Sequence, residues 1–336
     1  MKDLHLLPKV RDSWSYLYVE HCRIDQQDKA IAIHDKEGRT AVPCAMLALL
    51  MLGPGTTVTH AAIRALADNG CMVAWCGEEG VRLYAFGTGE TRSSRNLLAQ
   101  VRLYADPASR LRVVHCMYRI RFAEDLDPSL PIEELRGKEG VRVREAYARA
   151  SRDTGVAWQG RLYKSSDWRS ADPVNRALSC ANSCLYGVCH AAIVSAGFSP
   201  ALGFIHTGKT LSFVYDIADL YKAELTIPVA FRAAAEGPAQ LETRTRRTCR
   251  DVFRSERLLE RIIPDIERAL GMERGAALAG DQVLDSDDAV PGGLWDPTAG
   301  QVPGGVNRAP EPQRKEPQRQ DASPEAAASG GGDEQW

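Results

Sequence analysis

No two cysteines in this chain have the two-residue spacing of a zinc or redox motif, and the nine present are odd in number and scattered. Without that spacing, Cys180, Cys184 and Cys189-His190 read as helical thiols among small residues rather than as a zinc site. An odd, scattered set also argues against a disulfide framework and for a reducing, cytoplasmic setting. The amino terminus carries no signal-peptide core. The longest apolar run, Ala41 to Leu52, is interrupted by Pro43 and stops at Gly53-Pro54-Gly55, too short to cross a bilayer. No repeat of fixed period occurs. These absences point to a soluble globular chain with no membrane partner.

At 336 residues and 44% hydrophobic content, the chain is long enough for one large domain or two moderate ones. Its net charge of −2 conceals an asymmetry. Residues 281–336 hold four basic and eleven acidic side chains, leaving 38 basic and 33 acidic in the first 280. A basic body of this kind suits a polyanionic partner. The same last stretch carries seven prolines and eight glycines, a composition that predicts a disordered tail.

The remaining chain divides in two. Residues 1–88 predict a β-rich domain, with strands over Tyr16–Ile24, Ala30–His34, Met72–Trp75 and Val81–Phe86 and a turn at Asp35-Lys-Glu-Gly38. One helix, Thr59–Asn69, has Thr59 as its cap and Gly70 at its end. Residues 89–280 predict a larger all-α domain, with Gly87-Thr-Gly89 at the boundary. Its helices are expected over Arg95–Tyr104, Ala108–Phe122, Val141–Arg152, Pro173–Ala196, Leu211–Ala223 and Thr245–Ala269. The fold class is α+β.

Chemistry concentrates in His206-Thr-Gly-Lys-Thr-Leu-Ser-Phe-Val-Tyr-Asp216-Ile-Ala-Asp219. The helix is apolar nearly all round and should be buried, yet it carries Asp216 and Asp219 one turn apart on one face. Buried carboxylates need compensating charge. A divalent cation supplies it, with His206 arriving from the preceding loop; the structural alternative is an ion pair with Arg142 or Arg246. Glu139, between Gly137 and Gly140 at the expected start of an arginine-rich helix, is a third acid; an ordinary solvated glutamate would look the same. Glutamate, histidine and two aspartates form an oxygen-dominated set suited to Mg²⁺ or Mn²⁺. Arginines on three helices, including Arg110, Arg112, Arg119 and Arg121 and the run Arg244 to Arg257, suit phosphate. Tyr163, between Arg161 and Lys164, suits base stacking.

The segments Leu135-Arg-Gly-Lys-Glu-Gly-Val-Arg-Val, Ser183-Cys-Leu-Tyr-Gly, Gly197 to Lys209 and Leu211 to Asp219 resemble those of the CRISPR-associated spacer integrase, subtype I-E branch. The likeness runs from about Arg11 to Ile266. It implies an N-terminal β domain and an α-helical catalytic domain with a divalent metal, Mg²⁺ or Mn²⁺. The family's metal ligands carry over onto Glu139, His206 and Asp216, with the second aspartate at Asp219. Its DNA-contacting arginines carry over onto Arg64, Arg82, Arg161 and Arg246. Lys209, Tyr163 and Tyr215 fall where the motif-bearing DNA end is bound and trimmed, and Tyr186 matches a tyrosine implicated in strand transfer. Two departures stand out: a DNA-splaying aromatic is replaced by His21, and a backbone arginine by Thr57.

The resemblance implies an enzyme that inserts short DNA fragments into a CRISPR array by 3′-OH attack on a repeat phosphodiester. It also implies a homodimer, two of which flank a dimer of a small ferredoxin-like adaptation subunit. The DNA partners are duplex fragments with 3′ overhangs and the leader–repeat duplex. Two other readings use the same residues: a stand-alone nuclease or resolvase for branched DNA, and a non-catalytic DNA-binding scaffold.

Overall fold

Short β-branched and apolar runs between Gly and Pro form strands, and the N-terminal part of the chain is built from them. The computed structural model describes residues 16–27, 30–44, 47–80, 82–87, 94–124, 126–127, 129–161, 172–272, 294–298 and 300–302. Its first strands are β1 (Tyr16–Val19), β2 (Arg23–Gln27), β3 (Ala30–His34), β4 (Arg39–Pro43), β5 (Leu49–Leu52), β6 (Thr57–Val58), β7 (Met72–Cys76) and β8 (Leu83–Gly87). Helix α1 (His60–Asp68) stands between β6 and β7, with the Thr59 hydroxyl accepting from the Ala62 amide at 3.3 Å. One sheet has the order β4-β3-β2-β6, the other β1-β5-β7-β8. Ile24, Ile31 and Ile33 of the first sheet, Leu50 and Leu52 of the second, and Ala62 and Leu66 of α1 share one core.

The single strand predicted over Tyr16–Ile24 is two, divided where His21 adopts a φ of 49° and its amide bonds the Pro54 carbonyl at 2.9 Å. β5 escaped the sequence reading because all four of its residues are buried, so it shows no alternation.

The helical part comprises α2 (Arg95–Ala105), α3 (Pro107–Phe122), α4 (Ile132–Thr154), α5 (Pro173–Ser195), α6 (Ser212–Ala218), α7 (Ile227–Ala235), α8 (Leu241–Ser255) and α9 (Leu258–Leu270). α5 runs through its middle, with α6, α7, α8 and α9 packed against it. By length and composition α5 is apolar enough to cross a membrane, but most of it is interior to this helical core.

Three predicted helices differ from the observed ones. α4 begins at Ile132, ahead of Val141, because Glu133 and Glu134 suit the first-turn dipole and Leu135 is fully buried. Glu139 therefore lies inside a helix, not at its N-terminus. The helix expected over Thr245–Ala269 breaks at Arg257, whose φ is 50°. The one expected over Leu211–Ala223 ends at Ala218 and passes through a π turn, Lys222–Thr226, into α7. Pro228 in the first turn of α7 has no amide hydrogen to continue an unbroken ladder.

The chain to Ser286 is one compact unit, and residues from Asp287 form a second. Most of the expected disordered tail lies outside the described residues. Within it the structure shows a hairpin instead, β9 (Leu294–Asp296) paired with β10 (Gly300–Val302). All nine cysteines are free thiols.

The β-rich and helical parts meet where Ala191 of α5 packs with Leu49, Met51, Met72 and Ala74. One turn away, a Cβ on Gly187 would lie 2.9 Å from the Arg82 backbone nitrogen. Gly187→Ala is therefore expected to destabilise the fold by about 1–3 kcal/mol. Thermal unfolding checks this; an unchanged melting temperature would show that the Arg82 segment yields freely.

Candidate functional site

The loop between α5 and α6 owes its path to polar side chains of α2 and α3. Asn96 donates to the Ala196 carbonyl at 2.7 Å, and Gln100 donates to the Ser199 and Leu202 carbonyls at 3.0 and 3.1 Å. Arg110 binds the carbonyls of Gly203 and Phe204 at 3.2 and 3.0 Å. With its carbonyls held outward, the loop turns three successive amides toward α6. Gly203 permits this bend, since a Cβ there would stand 2.5 Å from the His206 carbonyl oxygen.

Asp216 receives those amides. Its Oδ2 accepts from Phe204 at 2.5 Å and Ile205 at 3.1 Å, and its Oδ1 accepts from the His206 amide at 2.8 Å. The same Oδ1 lies 2.7 Å from His206 Nδ1. The carboxylate has no exposure, and both oxygens are committed to the loop. Asp216, expected as an ion ligand, is thus turned onto the loop and the imidazole. With its Nδ1 proton given to Asp216, the ring leaves Nε2 free and directs it toward Asp219 Oδ2, 3.9 Å away. The common object between the two aspartates is the histidine ring.

Asp219, at the end of α6, faces a different set. Arg121 of α3 places Nη2 3.3 Å from Asp219 Oδ2 and Nη1 3.0 Å from Glu139 Oε1 of α4. Lys222, one turn on in the π turn, sits 2.5 Å from Asp219 Oδ1. Glu139 Oε2 is buried and has no hydrogen-bond partner. Tyr186 of α5 packs its ring 4.9 Å from Lys222 Nζ and edge-on to Tyr215, which in turn meets the His206 ring.

Burial raises the Glu139 pKa, only partly countered by Arg121. Asp219 also suffers burial, yet Lys222 and Arg121 together hold it below the usual carboxylate value. The hydrogen bond to Asp216 raises His206 above its ordinary value despite desolvation. Burial opposes charge on Lys222, and Asp219 more than offsets it.

Arg121 and Lys222 were not singled out for this site from sequence. A signal existed for the first: Val114, Tyr118 and Arg121 are spaced four and three apart, which puts the arginine on the buried face of α3. Neither Arg142 nor Arg246, the ion-pair partners considered from sequence, reaches the aspartates. Arg246 contacts Glu78 and Thr243. Arg161 donates to the Asn175 backbone and side chain and to Ser179. Arg64 and Arg82 are exposed, the former 3.8 Å from Asp68, and Lys209 is exposed on the loop. Tyr163 lies outside the described residues. Several arginines suited to phosphate are occupied internally: Arg110 on carbonyls, Arg244 on carbonyls and Glu236.

As donors, Glu139 Oε2, His206 Nε2 and Asp219 fit a hard divalent cation that accepts one imidazole. Among the described residues no three such side chains already enclose an ion position, because Arg121 stands between the acids.

The fold and the cluster define a two-part α+β protein with an acid–histidine centre in its helical part. Residues 15–124 and 117–267 match the CRISPR associated protein Cas1 family, and the chain belongs to that family. It is 55% identical over 306 residues to a CRISPR-associated endonuclease Cas1 of Thermus thermophilus, covering 91% of this chain and 93% of the relative. It is 45% identical to the CRISPR-associated endonuclease Cas1 of Escherichia coli, over 78% of this chain and 86% of that one. The crystal structure of a TtCas1–DNA complex superposes with a TM-score of 0.72 at 57% identity, covering 79% of this chain and 99% of that one.

Proposed function

We propose that this chain is a divalent-metal-dependent DNA endonuclease and integrase of CRISPR adaptation, in the subtype I-E branch. The endonuclease names of its relatives support the nuclease part. The observation that carries the rest is that Glu139 and Asp219 flank the Arg121 guanidinium while His206 Nε2 is directed toward Asp219. Those three residues would hold Mg²⁺ or Mn²⁺, with Asp216 behind them fixing the imidazole. The ion, when bound, supplies Lewis-acid stabilisation of a scissile phosphodiester.

The chain's own groups do the remaining work. Asp216 holds His206 by its Nδ1 proton, so that Nε2 presents a lone pair. Lys222, with Tyr186 beside it, keeps positive charge next to Asp219, where a phosphate would bring negative charge. Exposed Lys209, Arg64 and Arg82 suit the DNA backbone, and Arg161, Arg246 and Tyr215 lie at the positions implied for further contacts. Attack by a fragment's 3′-OH forms one P–O bond and breaks another in the repeat, so no hydrolytic water is consumed. The assembly proposed is a homodimer, two of which flank a dimer of a small ferredoxin-like adaptation subunit.

The test is strand joining on supercoiled plasmid carrying a repeat, with a short duplex, the small subunit and Mg²⁺ or Mn²⁺. Wild type should join, and EDTA, a 3′-dideoxy end, Glu139→Ala or His206→Ala should each abolish joining. Cutting of branched DNA without any joined product would replace this reading with a repair nuclease. Undiminished joining by both variants would remove the site.

A further inference from the structure

Arg121 has 6% of its side chain exposed and lies between two of the three residues assigned above to the ion. Glu139 and Asp219 carry two negative charges there, and Arg121 and Lys222 carry two positive ones. The cluster is therefore balanced before any ion arrives. Arg110, which holds the loop between α5 and α6, has its Nε and Nη2 bonded to two carbonyls. Arg121 is held less fully: its Nε and Nη2 are both buried without a hydrogen-bond partner, and Nη2 meets Asp219 Oδ2 only as an ion pair at 3.3 Å. Its guanidinium also lies 5.4 Å from the Tyr118 ring centroid, an aromatic face that keeps a cation when a carboxylate leaves it.

We propose that Arg121 is a built-in counter-cation that holds the metal-free site together and competes with the divalent ion for Glu139 and Asp219. Loading then requires the guanidinium to release at least one carboxylate. The inference rests on the metal reading of the site, and the two can fail separately.

The experiment measures Mn²⁺ binding, by the electron paramagnetic resonance of free Mn²⁺, and thermal unfolding in EDTA or saturating Mn²⁺. It compares wild type, Arg121→Gln, Arg121→Lys and Glu139→Ala. Arg121→Gln should bind Mn²⁺ at least ~10-fold tighter than wild type, because Glu139 is then released and only Lys222 still holds Asp219. In EDTA it should melt about 10 °C lower, the scale expected for stranding buried acids in a fold of this size, with Mn²⁺ closing most of the gap. Arg121→Lys keeps the charge but cannot bridge both acids, and should bind severalfold tighter than wild type even if the glutamine variant does not fold. Unchanged or weaker binding in the arginine variants, with wild type still binding, overturns the counter-cation and spares the metal site. No Mn²⁺ binding by any form, or full binding by Glu139→Ala, overturns both.

Discussion

Asp216→Ala should lower the melting temperature in EDTA by about 10 °C, whereas Asp219→Ala should lose no more than about half as much, and both should abolish joining. The difference lies in what each carboxylate holds. Asp216 is unexposed and is the acceptor for three consecutive loop amides and for the His206 ring. Removing it leaves buried donors unpaired, a loss of about 3–5 kcal/mol. In a fold of this size each kcal/mol moves the melting temperature by about 2–4 °C. Asp219 instead faces Lys222, which is 27% exposed and regains water, and Arg121, which keeps Glu139. Thermal unfolding and strand joining on the same preparations check the contrast. Equal melting temperatures for Asp216→Ala and wild type would show that the loop holds its shape without the carboxylate.

The second expected result concerns pH. Asp216 raises the folded-state pKa of His206 above 6.5, its ordinary value, against the opposing effect of burial. A group with a raised folded pKa contributes stability that is complete below the unfolded value and is lost as pH rises through the folded one. The gap in melting temperature between metal-free wild type and His206→Gln should therefore be widest near about pH 5.5 and shrink as pH rises from the ordinary histidine value through the raised folded one. Joining should move the other way across the same window, because an ion needs the Nε2 lone pair that protonation removes. A stability gap that is flat or widens with pH would show that Asp216 does not govern this histidine.

Much of the fold was legible because local signals agreed with the tertiary outcome. β3 matches its predicted bounds, and α1, α2, α3 and α5 match within one or two residues, with a cap or a proline marking the starts of α1, α3 and α5. The misses share a cause. β5, the π turn after Asp219 and the break at Arg257 depend on what packs around them, and periodicity in one segment does not carry that information. Glu139, His206, Asp216 and Asp219 do gather in one place, but sequence could not say which aspartate turns inward to the loop. That depends on where Phe204, Ile205 and His206 aim their amides. The arginine count misled in a similar way, because a guanidinium bonded to carbonyls looks the same in sequence as one facing solvent.

The apolar character of α5 has a consequence for how the protein is made. Most of the helices that cover it, α6 through α9, follow it in the chain and so leave the ribosome after it. During that interval α5 is a segment long and apolar enough, by length and composition, to cross a bilayer and lacks the helices that later cover it. Its concealment is a property of the finished helical core, so substitutions that loosen α7 or α8 would first be felt as aggregation or misdirection of the newborn chain, and only then as lost activity.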